Sequence, residues 1–331
     1  MYPENVGFPM KRQSDGPAFF MLEMHYNNPT FQTFRDSSGI RVYHTDIIRQ
    51  QEMGVLELGI TVTPFQIIPP NQKSFKTSAI CTASCTQNGF PAEGVSVFAG
   101  LLHSHLLGRK MKLRLIRNGV EEPWFQFDDH YDFDFQETRV YPEEKKILPG
   151  DIFILECTLD STARTGVTTG GWGTDDEMCL AFLSYYPRSD LMRCFTFFDF
   201  DLMQAQMGFP DLFADGNSLT WMVDQNTTWK EYLNNKYAPW SQETVDMFQQ
   251  IAALQISQSF GFCLNEGSNV IQDAESISGY PDMQEYELPP RDCPTKKSPE
   301  RVPIEMTKSL KLAFPRMAAT NGHFFKRLPK V

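Results

Sequence analysis

Met111-Lys112-Leu113-Arg114-Leu115-Ile116-Arg117-Asn118-Gly119 is the stretch of this sequence that decides the fold. Apolar and basic residues alternate from Met111 to Arg117, which is the period of a strand with one buried face. The Asn118-Gly119 pair that follows is a strong signal for a two-residue hairpin turn. The stretch therefore predicts antiparallel strands.

Short strands of the same kind are predicted on both sides of this hairpin. Gly54 to Val62 alternates as well, and Pro149-Gly150-Asp151 forms a turn before a strand at Ile152 to Cys157. Further strands are predicted at Ala18–Leu22, Ile40–Tyr43 and Leu180–Tyr186. Because no long helical pattern lies between these strands, we predict an all-β fold, an antiparallel jelly roll or β-sandwich.

The pattern becomes helical after Cys194. Helices are predicted at Thr228–Tyr237 and from Ser241 to about Ser257, where Ser241 can cap the start and apolar residues recur with a period near 3.6. From Gly267 onward the chain is polar and rich in Pro. We therefore expect a β domain at 50–194, a partly helical C-terminal extension at 195–266 and a polar, poorly ordered tail at 267–331.

Composition limits the kind of partner. Asp and Glu number 41 against 30 Lys and Arg, which gives a net charge of -11 and argues against binding to nucleic acid. No run of 18 apolar residues occurs, so we predict no transmembrane segment. These features argue against a nucleic acid as a partner and against a transmembrane segment.

The cysteines indicate an oxidising compartment. Seven are spread over a β-rich chain, a distribution that fits disulfides better than paired zinc-binding motifs. In such a compartment Asn226-Thr227-Thr228 would be an N-glycosylation acceptor. Met1 to Asn5 shows neither the basic nor the apolar region of a signal peptide. We therefore expect the secretory pathway (endoplasmic reticulum or secreted) and a chain that lacks its natural beginning.

The pattern that carries chemistry is His103-Ser104-His105, followed at a distance by Met178. Residues i and i+2 of a strand point to the same face, so the two imidazoles should lie side by side. A thioether is a soft ligand that favours Cu(I), which makes this set a plausible copper site and a poor zinc site. The alternative is a strand with two half-buried histidines and a methionine that fills the core.

The strings around these residues resemble a known family. They are Leu101 to Lys110, Gly170 to Gly173, Asp176 to Cys179, Tyr185 to Pro187, Cys81 to Gln87 and Phe127 to Tyr131. Together they resemble the copper type II, ascorbate-dependent monooxygenases, and the last two strings match the dopamine β-monooxygenase-like (DBH-like) branch. Several ordered motifs at the spacing of a family are far more specific than any one of them.

The resemblance implies that His103, His105 and Met178 bind the copper that activates dioxygen beside the substrate. Three protein ligands leave a position open for dioxygen, and the thioether stabilises Cu(I), the form that reacts with it. Ascorbate is the implied electron donor.

The same resemblance implies a second, electron-transferring copper. Met24 to Pro29 is similar to the segment that holds its third ligand, which makes His25 an orphan ligand, since the adjacent His-His pair of the family has no counterpart here. Residues 1–49 would then be the C-terminal remnant of the first copper domain. A histidine on an ordinary strand is the alternative for His25.

Disulfide pairing is also implied by the resemblance. It pairs Cys81 with Cys194, Cys85 with Cys263, and Cys157 with Cys179, and it leaves Cys293 without a partner. The third bridge would hold the segment that carries Met178 against the Ile152 to Cys157 strand.

Departures from the family pattern indicate the substrate class. Peptide-amidating members hold a carboxylate with an arginine where this chain has Leu101, and with an Asn and a Tyr where it has Leu180 and Phe182. Without such partners a carboxylate would be costly to desolvate. We therefore expect an apolar or aromatic small molecule, with an aromatic amine as one candidate.

Three functions remain open from the sequence. The first is a copper-dependent monooxygenase that hydroxylates a C–H bond with dioxygen and ascorbate and is impaired by loss of the first copper site. The second is a catalytically inactive copper-binding relative. The third is a non-catalytic assembly partner in the secretory pathway.

Overall fold

The computed structural model describes residues 2–10, 21–22, 24, 26, 28, 30–215, 220–255 and 259–288. The chain divides into two units, Met1–Glu287 and Leu288–Val331, and every element below belongs to the first. Most of the predicted strand at Ala18–Leu22 lies outside the described residues, as do His25 and Cys293.

The described residues form strands joined by a few helices. The strands are β1 (Val6–Gly7), β2 (Gln51–Glu52), β3 (Gly54–Ile60), β4 (Ile67–Ile68), β5 (Phe75–Cys81), β6 (Val95–Ser104), β7 (Gly108–Arg117), β8 (Val120–Glu121), β9 (Gln126–Asp128), β10 (Arg139–Ile147), β11 (Ile152–Leu159), β12 (Thr168–Thr169), β13 (Cys179–Tyr186), β14 (Arg193–Phe198), β15 (Phe213–Ala214), β16 (Trp221–Met222), β17 (Ser259–Leu264) and β18 (Val270–Ile277). The helices are α1 (Ala83–Gly89), α2 (Phe200–Met207), α3 (Trp229–Tyr237) and α4 (Gln242–Ala252), with a 3-10 helix at Phe133–Phe135. Among these, none is both long and apolar enough to cross a membrane.

Two large sheets pack face to face. One has the order β10-β6-β13-β3-β14-β17-β18, and the other has the order β5-β11-β7-β8 with β9 beside β7. Buried residues of both sheets form one core, in which Met111, Leu113 and Leu115 of β7 are at most 1% exposed. The alternation of β7 therefore buries one face, and the predicted all-β sandwich with a partly helical extension is confirmed.

The hairpin turn also forms as predicted. Asn118 and Gly119 have φ of 52° and 76° and connect β7 to β8. Positive φ at both central residues is the geometry of the turn whose twist matches that of the flanking strands.

The extension contains the predicted helices. Thr228 caps α3 in a capping box with Glu231, and the Ser241 hydroxyl accepts the backbone N–H of Thr244 at the start of α4. α4 ends at Ala252, a few residues before the predicted end. β17 and β18 complete the sheet that begins in residues 50–194.

Two sequence predictions are wrong. Ile40–Tyr43 is not a strand, and its Ile40, Val42 and Tyr43 side chains are more than half exposed, because alternation makes a strand only where a neighbouring strand accepts its backbone. The poorly ordered tail predicted from Gly267 does not hold for Val270–Ile277, which pairs antiparallel with β17. Beyond Leu288 that prediction stays a prediction.

Candidate metal centre

Neighbouring strands bring the predicted copper ligands together. His103 is the next-to-last residue of β6, and His105 follows the end of that strand. β6 pairs antiparallel with β13 in a register that places Leu180 opposite His103. Continued by two residues, this register places Met178 opposite His105. Because opposite residues of an antiparallel pair share a face, the three side chains lie on one face.

The two imidazoles lie close together, and the register places the buried Met178 opposite His105. The His103 and His105 rings are nearly perpendicular at 87°, with centroids 5.2 Å apart. His105 and Met178 are 5% and 6% exposed, and His103 is half-buried. Ala181 and Leu183 of β13 point into the core, so the cluster lies on the outer face of its sheet.

Hydrogen bonds fix the protonation of both rings. Nδ1 of His103 lies 2.6 Å from Oε1 of Gln136, and Nδ1 of His105 lies 3.1 Å from the backbone oxygen of Asp176. Gln136 Nε2 donates to the Phe133 carbonyl, which orients the amide oxygen toward His103. Because both partners only accept, each Nδ1 donates its proton, and a neutral ring in this tautomer offers Nε2 to a metal.

A buried carboxylate joins the two segments that carry these residues. Glu177 accepts the Ser104 hydroxyl at 2.8 Å and the backbone N–H groups of Met178 at 2.8 Å and Leu107 at 2.9 Å. It also accepts the backbone N–H of His105. Burial raises the pKa of Glu177, and these hydrogen bonds oppose that shift. The carboxylate thus fixes the end of β6 against the start of β13.

Tyr131 holds the residue between the two histidines. Its hydroxyl accepts the Ser104 N–H at 2.8 Å and donates to the Ser104 carbonyl. Burial raises the pKa of Tyr131, so the phenol keeps the proton that this donation needs. The backbone between His103 and His105 is therefore fixed from outside the strand.

Comparison with known proteins agrees with this geometry. Residues 51–207 match the family model described as copper type II ascorbate-dependent monooxygenase, C-terminal domain. Residues 51–207 are thus similar to the C-terminal domain of the copper type II ascorbate-dependent monooxygenases. This family uses copper, with ascorbate as the electron donor.

Several curated relatives are similar to parts of the chain. The human DBH-like monooxygenase protein 1 is 43% identical over 197 residues, which is 58% of this chain and 32% of the relative. Rat dopamine beta-hydroxylase is 36% identical over 251 residues, which is 76% of this chain and 40% of the relative. The MOXD1 homolog 1 of Drosophila melanogaster is 37% identical over 194 residues, 59% of this chain and 28% of the relative. The chain thus spans about a third of the length of the relatives it matches.

Apolar side chains flank the two histidines. The register pairs Leu180 with His103 and Phe182 with Leu101. Leu101, Leu180 and Phe182 therefore lie on the same face of the sheet as His103. The Phe182 ring centroid lies 6.4 Å from that of His103, and the Phe133 centroid lies 6.1 Å from that of His105. The positions that depart from the peptide-amidating pattern therefore lie beside the cluster.

Three disulfides tie the sandwich together, and they are the pairs that the resemblance implied. Cα–Cα separations are 5.4 Å for Cys81–Cys194, 5.8 Å for Cys85–Cys263 and 6.1 Å for Cys157–Cys179. The last bridge joins β11 to β13 across the two sheets, directly beside Met178. The sulfur atoms of Cys81, Cys85 and Cys194 lie within 4.8 Å of one another, but as disulfides they offer no thiolate to a metal.

Sequence reasoning missed the residues that orient the histidines. Gln136 lies 33 positions after His103 in a segment without a strand pattern, so no local signal connects the two. Asp176 and Glu177 belong to the string Asp176 to Cys179 that resembles the family, and only their position next to Met178 indicates a role at the site. His25 lies outside the described residues.

The donor set fits copper. Two neutral imidazoles and a thioether suit Cu(I), whereas zinc sites in proteins draw on thiolates, imidazoles and carboxylates. Both imidazoles donate Nδ1–H to an oxygen and leave Nε2 for a metal, the arrangement that metal-binding histidines almost always show.

Proposed function

We propose that His103, His105 and Met178 bind copper, and that a protein carrying this chain hydroxylates a C–H bond of a small molecule with dioxygen and ascorbate. The observation that carries the proposal is the close pair of imidazoles at the end of β6, with Met178 directly before the facing strand β13. Each imidazole Nδ1 is held by an oxygen acceptor.

Each residue of the proposed site would have a distinct role. Copper, when bound, supplies the redox chemistry that activates dioxygen. The two imidazoles hold it in either oxidation state, and the Met178 thioether favours Cu(I). Gln136 and the Asp176 carbonyl keep both rings in the metal-binding form, while Glu177 keeps the two ligand segments at a fixed separation.

The apolar surroundings favour an apolar or aromatic substrate. Leu101, Leu180 and Phe182 share the face of the cluster, and a peptide carboxylate placed there would lose its hydration without a compensating charge. One relative is named for the hydroxylation of dopamine, so aromatic amines are the class to test first.

A copper-binding relative that does not turn over is the second candidate. The observation in its favour is that the six histidines of this sequence include no adjacent pair. His25, which we propose as a ligand of a second copper, would then lack the other two ligands that the family pattern requires.

The secretory pathway is the compartment that we propose. Three buried disulfides persist in oxidising compartments and are rare in the cytosol. An exposed glycosylation acceptor at Asn226 agrees with this location.

X-ray absorption spectroscopy of the chain loaded with Cu(I) tests the proposal. We expect two nitrogen scatterers and one sulfur scatterer at the metal. Met178→Leu conserves volume, so it should keep the fold at a cost below about 1.5 kcal/mol. It should remove the sulfur scatterer and weaken Cu(I) more than Cu(II). A reduced wild-type spectrum without sulfur would contradict the assignment of Met178.

A further inference from the structure

A helix outside the matched family domain touches the loop beside the metal centre. α3 begins at Trp229, whereas the family match ends at residue 207. The loop of residues 160–178, here called the ligand loop, connects β11 to β13 and ends in Met178. α3 contacts this loop near its middle, at Val167, and near its C-terminal end, at Asp176.

The first contact leads directly to His105. Lys230 of α3 forms an ion pair with the Asp176 carboxylate, whose other oxygen accepts the Gly173 N–H at 3.3 Å. The backbone carbonyl of the same Asp176 accepts the Nδ1 proton of His105 at 3.1 Å. Gly171 leaves room for this carboxylate, because a Cβ there would overlap its oxygen. Lys230 therefore fixes the residue that orients His105.

The second contact holds the middle of the ligand loop. Asn234, one helical turn after Lys230, accepts the Val167 N–H through its side-chain oxygen at 2.9 Å. Val167 directly precedes β12, which pairs with β4. Residues i and i+4 lie on the same side of a helix, so one face of α3 serves both contacts.

α3 is itself anchored to the sandwich. Trp229 is 2% exposed, and its Nε1 donates to the Pro64 carbonyl at 3.0 Å. The capping box of Thr228 and Glu231 satisfies the first backbone N–H groups of the helix. Lys230 thus extends from a fixed backbone, which lets it set the position of the ligand loop.

We infer that α3 is a positioning element of the metal centre, in which Lys230 and Asn234 hold the ligand loop and so fix the orientation of His105 and the placement of Met178. This inference rests on the proposed copper site. It extends that site beyond the matched domain, into the extension.

The ion pair is suited to positioning more than to stability. The Lys230 and Asp176 side chains are 41% and 27% exposed, and partly exposed pairs of this kind contribute little to the free energy of unfolding. Loss of the pair should therefore leave the fold intact. Partners outside the ligand shell typically change metal affinity by about 10- to 100-fold, and Lys230 acts one step further out, so we expect about 3- to 10-fold.

Cu(I) affinity of the full chain, measured by competition with a chromophoric Cu(I) chelator, tests the inference. Lys230→Met removes the charge, Lys230→Arg keeps it, and Lys236→Met makes the same change on the same helix, where Lys236 donates to Met207 and Gly208 carbonyls instead. We expect about 3- to 10-fold weaker binding for Lys230→Met alone, with its melting temperature unchanged, and wild-type affinity for the other two.

Asn234→Ala tests the second contact independently in the same Cu(I) affinity assay. It also replaces Lys230→Met if that variant fails to fold. It should also weaken Cu(I) binding while the chain stays folded. Wild-type affinity in folded Lys230→Met, or in Asn234→Ala when Lys230→Met does not fold, would overturn the inference and leave the copper site standing. Failure of the wild-type chain to bind Cu(I) would instead overturn the proposed function, and the inference with it.

Discussion

At the scale of single residues, the acceptors behind the imidazoles decide whether the site can hold a metal. Gln136 is half-buried, and its amide is oriented by its own bond to the Phe133 carbonyl. A side chain fixed in this way selects one tautomer of His103. His103 is thus oriented by a residue that lies outside the proposed ligand set.

Gln136→Leu removes this acceptor and keeps the approximate volume of the side chain. We expect Cu(I) affinity to fall by about 10- to 100-fold, the usual effect of losing a partner behind a ligand. Gln136→Glu should retain most of the affinity, because a carboxylate oxygen can also accept from Nδ1. Gln250→Leu, an exposed site on α4, is the control. Equal affinities for Gln136→Leu and wild type in a chelator competition would show that the contact has no role.

Asn226 should carry a glycan when the chain passes through the secretory pathway. The residue is exposed in the turn before α3, and its backbone N–H donates to Asp224 at 2.8 Å. The acceptor is therefore accessible. Expression behind an added signal peptide, followed by glycosidase digestion, should shift the gel mobility, and Asn226→Gln should abolish the shift. An unchanged mobility of the wild-type chain would mean that the acceptor is not used.

At the scale of elements, the segment after β18 is held by a buried ion pair. Residues 280–287, here called the strap, contact β8, where Tyr286 N–H donates to the Glu121 carboxylate at 2.9 Å. Arg114 of β7 forms a bidentate ion pair with Glu121 at 2.7 and 2.8 Å. Its guanidinium also donates to the Glu285 carboxylate of the strap at 3.3 Å. Glu121 thus joins the strap to the five-stranded sheet.

Stability should fall in acid through Glu121. Burial by itself raises the pKa of this carboxyl, but hydrogen bonds from Arg114 and Tyr286 and the charge of Arg114 outweigh it, so the pKa lies below its ordinary 4.5. A depressed pKa contributes stability above the ordinary value that is lost as pH falls through the folded-state pKa. The contribution is therefore present at pH 7 and disappears below about pH 4.5.

Glu121→Gln tests this prediction by urea unfolding at several pH values. We expect a loss of about 3 kcal/mol at pH 7, the lower end for breaking a buried pair, because Glu156 and Glu285 remain near Arg114. The difference from wild type should shrink below about pH 4.5. Glu122→Gln, a neighbouring change at a side chain that is 43% exposed and 3.8 Å from Arg117, should have little effect. A difference that stayed constant from pH 7 to pH 3 would contradict the role of Glu121.

At the scale of the whole molecule, sequence patterns predicted the features that neighbouring residues determine. The alternation of Met111 to Arg117 and the Asn118-Gly119 turn gave the hairpin, and the spacing of His103 and His105 placed them on one face. The acceptor from Gln136 and the strap at Glu121 join segments far apart in sequence. Such contacts arise from tertiary packing, which no periodicity encodes.

The whole chain tested by itself should not sustain turnover. Hydroxylation consumes two electrons per dioxygen, whereas one copper at the proposed site delivers one. In the family pattern the second electron comes from another copper, for which this sequence offers only His25, and a lone imidazole cannot hold copper in a defined geometry. We therefore expect no lasting formation of hydroxylated product when the purified chain receives copper, ascorbate and a panel of phenethylamines. Full-length dopamine beta-hydroxylase in the same assay is the positive control. Product formed continuously and one-to-one with dioxygen consumed would mean that a single copper suffices, because the purified chain has no other source of the second site.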